Sequence, residues 1–213
     1  MRYARQPVPA HRVAAAGNAD VFSLEVFLSN PVPHLIAEAV ASEWQWDVLR
    51  AVRDLALPDC WVAAGFVRNA VWDLLHGRAG PTPLADVDVL FFLDAPDGAY
   101  NEHAYETALS EALPQHRWQV RNQARMHQVN GFAPFRSSAH AMCHWVETAT
   151  PVGLALDGLG RLQINAPLGV ADLLGLRVQP GPMFRGERLA IYRRRMQQKA
   201  WAAQWPKLRV MGR

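Results

Sequence analysis

Cysteine is scarce in this chain. Only Cys60 and Cys143 occur. Two thiols cannot build a disulfide framework, and they fit a reducing compartment as small buried hydrophobes. Lysine is equally scarce: Lys199 and Lys207 stand alone, so 20 of the 22 cationic side chains are arginine. Charged residues make up 19% against 50% hydrophobic, which excludes a disordered polyelectrolyte and predicts a globular core. No apolar run reaches the length of a membrane span. The opening MRYARQPVPAHRVAAAG lacks a signal-peptide core, because Pro7, Pro9, His11 and Arg12 interrupt it. Residues 1–18 read as a flexible extension and the cytoplasm as the default compartment. His140, Cys143 and His144 in HAMCHW match no zinc-ligand spacing.

What is present fits one domain with an appendage, since the chain has 213 residues. The expected division is an extension over 1–18, a main domain with N-terminal helices over 19–182, and a basic C-terminal helix over 183–213. The net charge of +3 hides a split. Residues 185–213 carry nine basic groups against Glu187 alone, leaving 13 basic and 18 acidic residues in 1–184. Such a tail either docks its arginines on the acidic body through Trp201 and Trp205, or guides a polyanionic substrate. The chain also holds 8 tryptophans. Most sit in apolar runs, where core packing is the expectation.

Periodicity predicts helices over 20–29 (with Asp20 as N-cap), 33–55 (one helix or two), 66–76 (stopped by Gly77), 100–112, 122–129, 169–176 and 184–204. Strands are expected over 60–64, 86–93 and 117–121. A hairpin is expected from 152–157 and 160–165, split at Gly158. A turn is expected at Asp97-Gly98. Ser137 or Ser138 is expected to cap a helix, the alternative being a phosphate-binding loop with Arg136.

Asp86 and Asp88 stand one residue apart on a predicted strand, so both carboxylates leave the same face. Like charges at that spacing repel, and a hard divalent cation offsets the repulsion. The alternative is a strand start that simply faces solvent. Gly65 falls between an apolar strand and a helix. A helix starting at Phe66 offers free N–H groups and a positive dipole end for a phosphate. Arg68 in its first turn is unfavourable by dipole alone. It therefore needs an anionic partner: a phosphate, Asp73, or the Asp86/Asp88 pair.

These residues resemble a known signature. AGFVRNAVWDLLHG followed by PLADVDVLFF is similar to the glycine motif and hDhDh strand of the DNA polymerase beta-type nucleotidyltransferase superfamily. Its glycine part resembles the GGxVRD element of tRNA CCA-adding and poly(A) polymerase heads. The wider chain is closer still to a bacterial family of uncharacterised nucleotidyltransferase-like proteins. The segments WQVRNQARMH, PFRSS, INAPLGVADLLGLRVQP and KAWAAQWPKL carry that likeness.

The resemblance implies an α+β fold: a small mixed β-sheet flanked by helices, with helical N- and C-terminal additions. It implies transfer of a nucleoside monophosphate from an NTP to an acceptor, with release of pyrophosphate. The acceptor class stays open between a small molecule, a protein hydroxyl and an RNA end, and so does the oligomeric state. Asp86 and Asp88 would be the catalytic metal ligands for Mg²⁺ (or Mn²⁺). Gly65, Phe66, Arg68, Asn69, Asn122 and Arg125 would contact the nucleotide. His127 is a further pocket candidate.

The sequence departs from the family pattern at three places. Ala64 replaces the first glycine, Asn69 replaces the aspartate of VRD, and the strand at 117–121 has no carboxylate. Glu147 is the better later candidate for a third ligand, ahead of Asp157. CCA-adding heads manage with two carboxylates. The departures keep a second class in view, a nucleotide-binding or regulatory module that has lost turnover.

Overall fold

The computed structural model describes residues 31–96 and 98–212. The extension over 1–18, the helix over 20–29 and Asp97 of the predicted turn lie outside the described residues. The fold is α+β. In chain order the elements around the main sheet are α1 (Pro31–Ala39), α2 (Glu43–Asp54), β1 (Trp61–Ala63), α3 (Gly65–His76), β2 (Val87–Phe91), α4 (Glu102–Ala112), β3 (Trp118–Asn122), α5 (Gln123–Met126), α6 (Ser138–Met142), β4 (Gly153–Leu156) and β5 (Leu162–Asn165). The strand order is β3-β2-β1-β4-β5. The β2–β3 pair is parallel and the other pairs are antiparallel, so the sheet is mixed.

Local chemistry sets these boundaries. In α2, Gln45, Val48, Leu49 and Val52 are buried at helical spacing, with Glu43 in the first turn and Arg53 in the last. Gly77 closes α3 in the left-handed region, with φ +66°. Its N–H donates to Leu74 O, and the Arg78 N–H donates to Asp73 O. Asn101 and Ser137 cap α4 and α6 by accepting from Ala104 and His140 N–H. Ser137 thus takes the capping role expected of this loop. Along β2, Val87, Val89 and Phe91 enter the main core with Val62, Val67, Val71 and Trp72. Asp88 and Leu90 take the opposite face, where Ala63, Leu90 and Met142 form a smaller cluster beside Trp145.

The exposed edge of β3 is managed by side chains. Glu102 and Glu106 lie one turn apart on α4. Glu106 accepts from the Val120 N–H (3.0 Å) and Glu102 from the Asn122 N–H (2.7 Å). Arg121 Nη1 donates to Glu106 at 2.6 Å. The segment 122–129, expected as a helix, therefore begins only after the strand has run through Arg121 and Asn122. The edge N–H groups that could template another strand are already taken.

The C-terminal part is more segmented than its pattern predicts. After α7 (Ala171–Leu174), β6 (Arg177–Val178) pairs in parallel with β7 (Arg209–Val210), a ladder too short to have left a period in the sequence. The helix expected over 184–204 divides into 3₁₀ turns, α8 (Leu189–Lys199) and α9 (Trp201–Gln204). The break is at Ala200, with φ +46°. The break turns Trp201 and Trp205 onto Trp72, with ring centroids at 5.4 and 5.1 Å. Trp205 Nε1 donates to Asp73 Oδ1 at 2.8 Å. Among the described residues, no helix is long and apolar enough to cross a membrane.

Glu106→Ala removes one acceptor from a part-buried edge N–H and an arginine partner. It is expected to lower the unfolding free energy by about 1–2 kcal/mol, read as a reduced urea midpoint at unchanged m-value. An unchanged midpoint would show that the edge does not need this carboxylate.

Candidate active site

Asp86 immediately precedes β2 and Asp88 is its second residue. Asp88 pairs in register with Ala63, the last residue of β1. The turn into α3 therefore leaves the sheet beside the carboxylates. Among the described residues, neither the Asp86 nor the Asp88 carboxylate accepts a hydrogen bond or joins an ion pair. Burial, reinforced by the charge of Asp86, pushes the Asp88 carboxyl up to about 6. Arg68, Arg195 and Lys199 act in the opposite direction.

The turn itself is strained. Ala64 holds φ +53° and ψ −121°, a conformation that suits glycine. Gly65 then opens α3, so its N–H and those of Phe66 and Val67 have no intrahelical acceptor, while the Arg68 N–H already donates to Ala64 O. The Phe66 side chain is buried and meets Trp44 edge-on at 5.8 Å. At this position only the Phe66 backbone faces the turn's task.

Arg68 is 7% exposed. Its Nη1 donates to Thr150 Oγ1 (3.2 Å) and its Nη2 to Asn69 Oδ1 (2.9 Å). Its guanidinium carbon lies 4.2 Å from the Trp201 ring centroid. Its buried Nε has no partner among the described residues. Burial lowers this guanidinium to about 10, and Glu147 acts against that shift. Asp73, one of the partners considered for Arg68, serves Thr82 and Trp205 instead.

Glu147 is 1% exposed. Arg195 grips it through Nε to Oε2 (2.8 Å) and Nη2 to Oε1 (3.1 Å). The Thr150 hydroxyl donates to Oε1 at 2.7 Å. That hydroxyl links Arg68 to Glu147. The structure therefore places Glu147 in a buried ion pair rather than as a third free carboxylate. No group of three His, Cys, Asp or Glu that could hold a metal ion occurs among the described residues. Asn122 pairs with Phe91 on the core-facing phase of the strand. Its amide is used by Leu93 N–H, Ala124 N–H and Leu93 O. Arg125 lies over Tyr100 at 5.4 Å. Neither joins the Asp86/Asp88 cluster.

The donor set fits a hard divalent cation in one respect: two adjacent carboxylates remain without protein donors. The residues that complete the surroundings, Thr150, Arg195 and Trp201, come from segments far along the chain. Of these, Arg195 belongs to the basic tail and Trp201 is one of its expected docking residues, whereas Thr150 carries no signal in the sequence.

Comparison with known proteins follows from this geometry. Residues 50–210 match the model of a nucleotidyltransferase family. A structure described as an NMR structure revealing a CCA-adding enzyme head domain is 35% identical, with a TM-score of 0.73, over 84% of this chain and 94% of that one. A complex of a CCA-adding enzyme with CTP shares the fold at 13% identity and a TM-score of 0.54, over 84% of this chain and 43% of that one. No curated protein matches the sequence.

Ala64→Gly relieves the positive-φ strain and is expected to raise stability by about 1 kcal/mol, read as a higher thermal midpoint. A lower midpoint would show that the turn tolerates alanine without strain. Asp88→Asn removes a carboxyl that prefers its proton in the fold. In the unfolded chain Asp88 ionises near 4, whereas the native carboxyl waits until about 6. Native stability therefore falls as pH rises from 4 to 6 and is flat above. Without added metal, the variant should exceed the parent in stability by about 3 kcal/mol at pH 7.5. The gain should vanish near pH 4 in chemical denaturation series; a pH-independent difference would contradict this assignment.

Proposed function

The chain belongs to the nucleotidyltransferase family whose model it matches, and on that premise we propose that it moves a nucleoside monophosphate from an NTP to an acceptor hydroxyl in the cytoplasm. The acceptor oxygen forms a bond to the α-phosphorus as the bond to pyrophosphate breaks. The observation that carries this reading is the juxtaposition of two unpartnered carboxylates with a strained strand-to-helix turn and a buried arginine lacking a partner at Nε.

Asp86 and Asp88 hold the divalent ion. Mg²⁺ (or Mn²⁺), when bound, supplies charge neutralisation at the reacting phosphate. Gly65 and Phe66 direct backbone N–H groups at the β and γ phosphates. Arg68 balances triphosphate charge from a fixed position, held by Thr150, Asn69 and the Trp201 ring. Because those supports are already in place, little reorganisation is needed when phosphate arrives.

Glu147 does not enter the chemistry in this reading. Its charge is matched by Arg195, and the pair fixes α8 beside the site. The use of Glu147 in that pair favours one rival reading, a nucleotide-binding module with two carboxylates and no turnover.

The test is Mg²⁺-dependent binding of each NTP by calorimetry, followed by a pyrophosphate-release screen over candidate acceptors. Binding should be lost, by about 100-fold or more, in Asp86→Asn/Asp88→Asn. Binding indifferent to both changes would remove the metal-site assignment. Metal-dependent binding with no pyrophosphate released across the screen would favour the binding module.

A further inference from the structure

One chain of polar contacts leads from the C-terminal segment into the site. Arg195 on α8 grips Glu147, the Thr150 hydroxyl donates to Glu147 Oε1, and Arg68 Nη1 donates to that hydroxyl. Glu147 and Thr150 are as deeply buried as Arg68. A hydroxyl has one proton and two lone pairs. At Thr150 the proton is committed to the carboxylate, which leaves a lone pair for the guanidinium. The order carboxylate, hydroxyl, cation is therefore fixed by valence.

The backbone that carries Glu147 and Thr150 is clamped. Glu147 pairs with Pro180 in an antiparallel bridge. The Gly181 N–H donates to Val146 O at 2.8 Å, and the Thr148 N–H donates to Gln179 O at 3.0 Å. A Cβ on Gly181 would collide with Trp145 O, so the two stretches cross where only glycine fits. The direct partners of Arg68 are all uncharged: Thr150 Oγ1, Asn69 Oδ1 and the rings of Trp72 and Trp201. Glu147 is the charge that acts most strongly in favour of the Arg68 cation. It does so from one hydroxyl away, while Arg195 takes its direct ion pair. Arg68 is thus oriented by a carboxylate without being neutralised by one. A directly paired guanidinium would have to give up that partner before it served a phosphate, at a large cost in a buried setting.

We propose that Glu147 and Thr150 are positioning residues: the carboxylate acts through the hydroxyl to hold the Arg68 guanidinium in place with its charge uncancelled, and Arg195 on α8 keeps the carboxylate there. Neither Glu147 nor Thr150 touches the nucleotide. The C-terminal helix thereby sets the phosphate affinity of a residue on α3. The proposal deepens the transferase reading and rests on it for one point, that Arg68 takes triphosphate charge. The positioning itself stands on the contacts.

Thr150 is the residue to change, because variants of Glu147 or Arg195 leave a buried charge unpaired and endanger the fold. Thr150→Val keeps the shape and removes the hydroxyl, whereas Thr150→Ser keeps the hydroxyl. In the full chain, arginine Nε–H signals are recorded by nitrogen-edited NMR, with Arg68 assigned by its loss in Arg68→Met. Exchange of the Arg68 Nε–H with solvent should be slow in the parent and in Thr150→Ser, and about tenfold or more faster in Thr150→Val. Calorimetric affinity for the Mg²⁺ complex of each NTP that the parent binds should fall about tenfold in Thr150→Val and recover in Thr150→Ser. In the Arg68→Met background, Thr150→Val should change affinity no further. A purely structural hydroxyl would lower the urea midpoint while leaving affinity alone, or lower affinity equally with and without Arg68. Either result overturns the proposal, and so does an unchanged Arg68 signal. A parent that binds no NTP refutes the transferase reading instead, and the proton-exchange result then decides whether Glu147 and Thr150 position Arg68.

Discussion

A guanidinium buried in the protein interior is the constraint around which this molecule is arranged. Arg68 keeps its charge at neutral pH, although burial lowers its proton affinity. A cation so placed must be matched from nearby, or the fold carries the full cost of its desolvation. The matching groups come from widely separated positions. Asn69 is its neighbour in α3, Thr150 precedes β4, Glu147 lies three residues earlier, and Trp201 belongs to the C-terminal segment. Arg195 then balances Glu147 from α8. The C-terminal segment is therefore part of the electrostatic environment of the site. Its breaking at Ala200 lets both tryptophans seat on Trp72 while Arg195 still reaches inward.

Two costs of the fold meet at the turn between β1 and α3. Ala64 sits in a glycine-like conformation, and Asp88 is raised by burial and by Asp86. Both face the same turn between β1 and α3. At the β3 edge and at the Asp73 hub, by contrast, side chains take up the polar groups. Unfavourable charge and backbone geometry that coincide at a site are the pattern expected where ligand binding supplies the missing interactions.

Much of the architecture was legible from the residues. The alternation of DVDVLFF gave away which side chains enter the core, because pleating allows only two faces. Gly77 marked the end of α3 because a left-handed residue is needed there. The residues that point to the site, Asp86, Asp88, Gly65 and Arg68, form a compact motif, and the fold places them side by side. The place of Asn122 has a simple origin. It ends a strand that runs one residue beyond the expected 117–121, and that phase turns it to the core. Glu147 looked like a spare acid because its partner, Arg195, lies 48 residues away.

By itself, the sequence determined the local elements, the carboxylate pair, the helix-opening glycine and the basic character of the C-terminal segment. Each depends on spacings of a few residues, which the chain carries wherever it goes. Tertiary structure alone decided which charges are spent on one another and which stay open. Glu147 is consumed by Arg195, while Asp86 and Asp88 are not paired. It also decided that the Thr150 hydroxyl stands between Arg68 and Glu147. Those outcomes depend on distances between segments that have no local signature, because the packing of the whole core sets them.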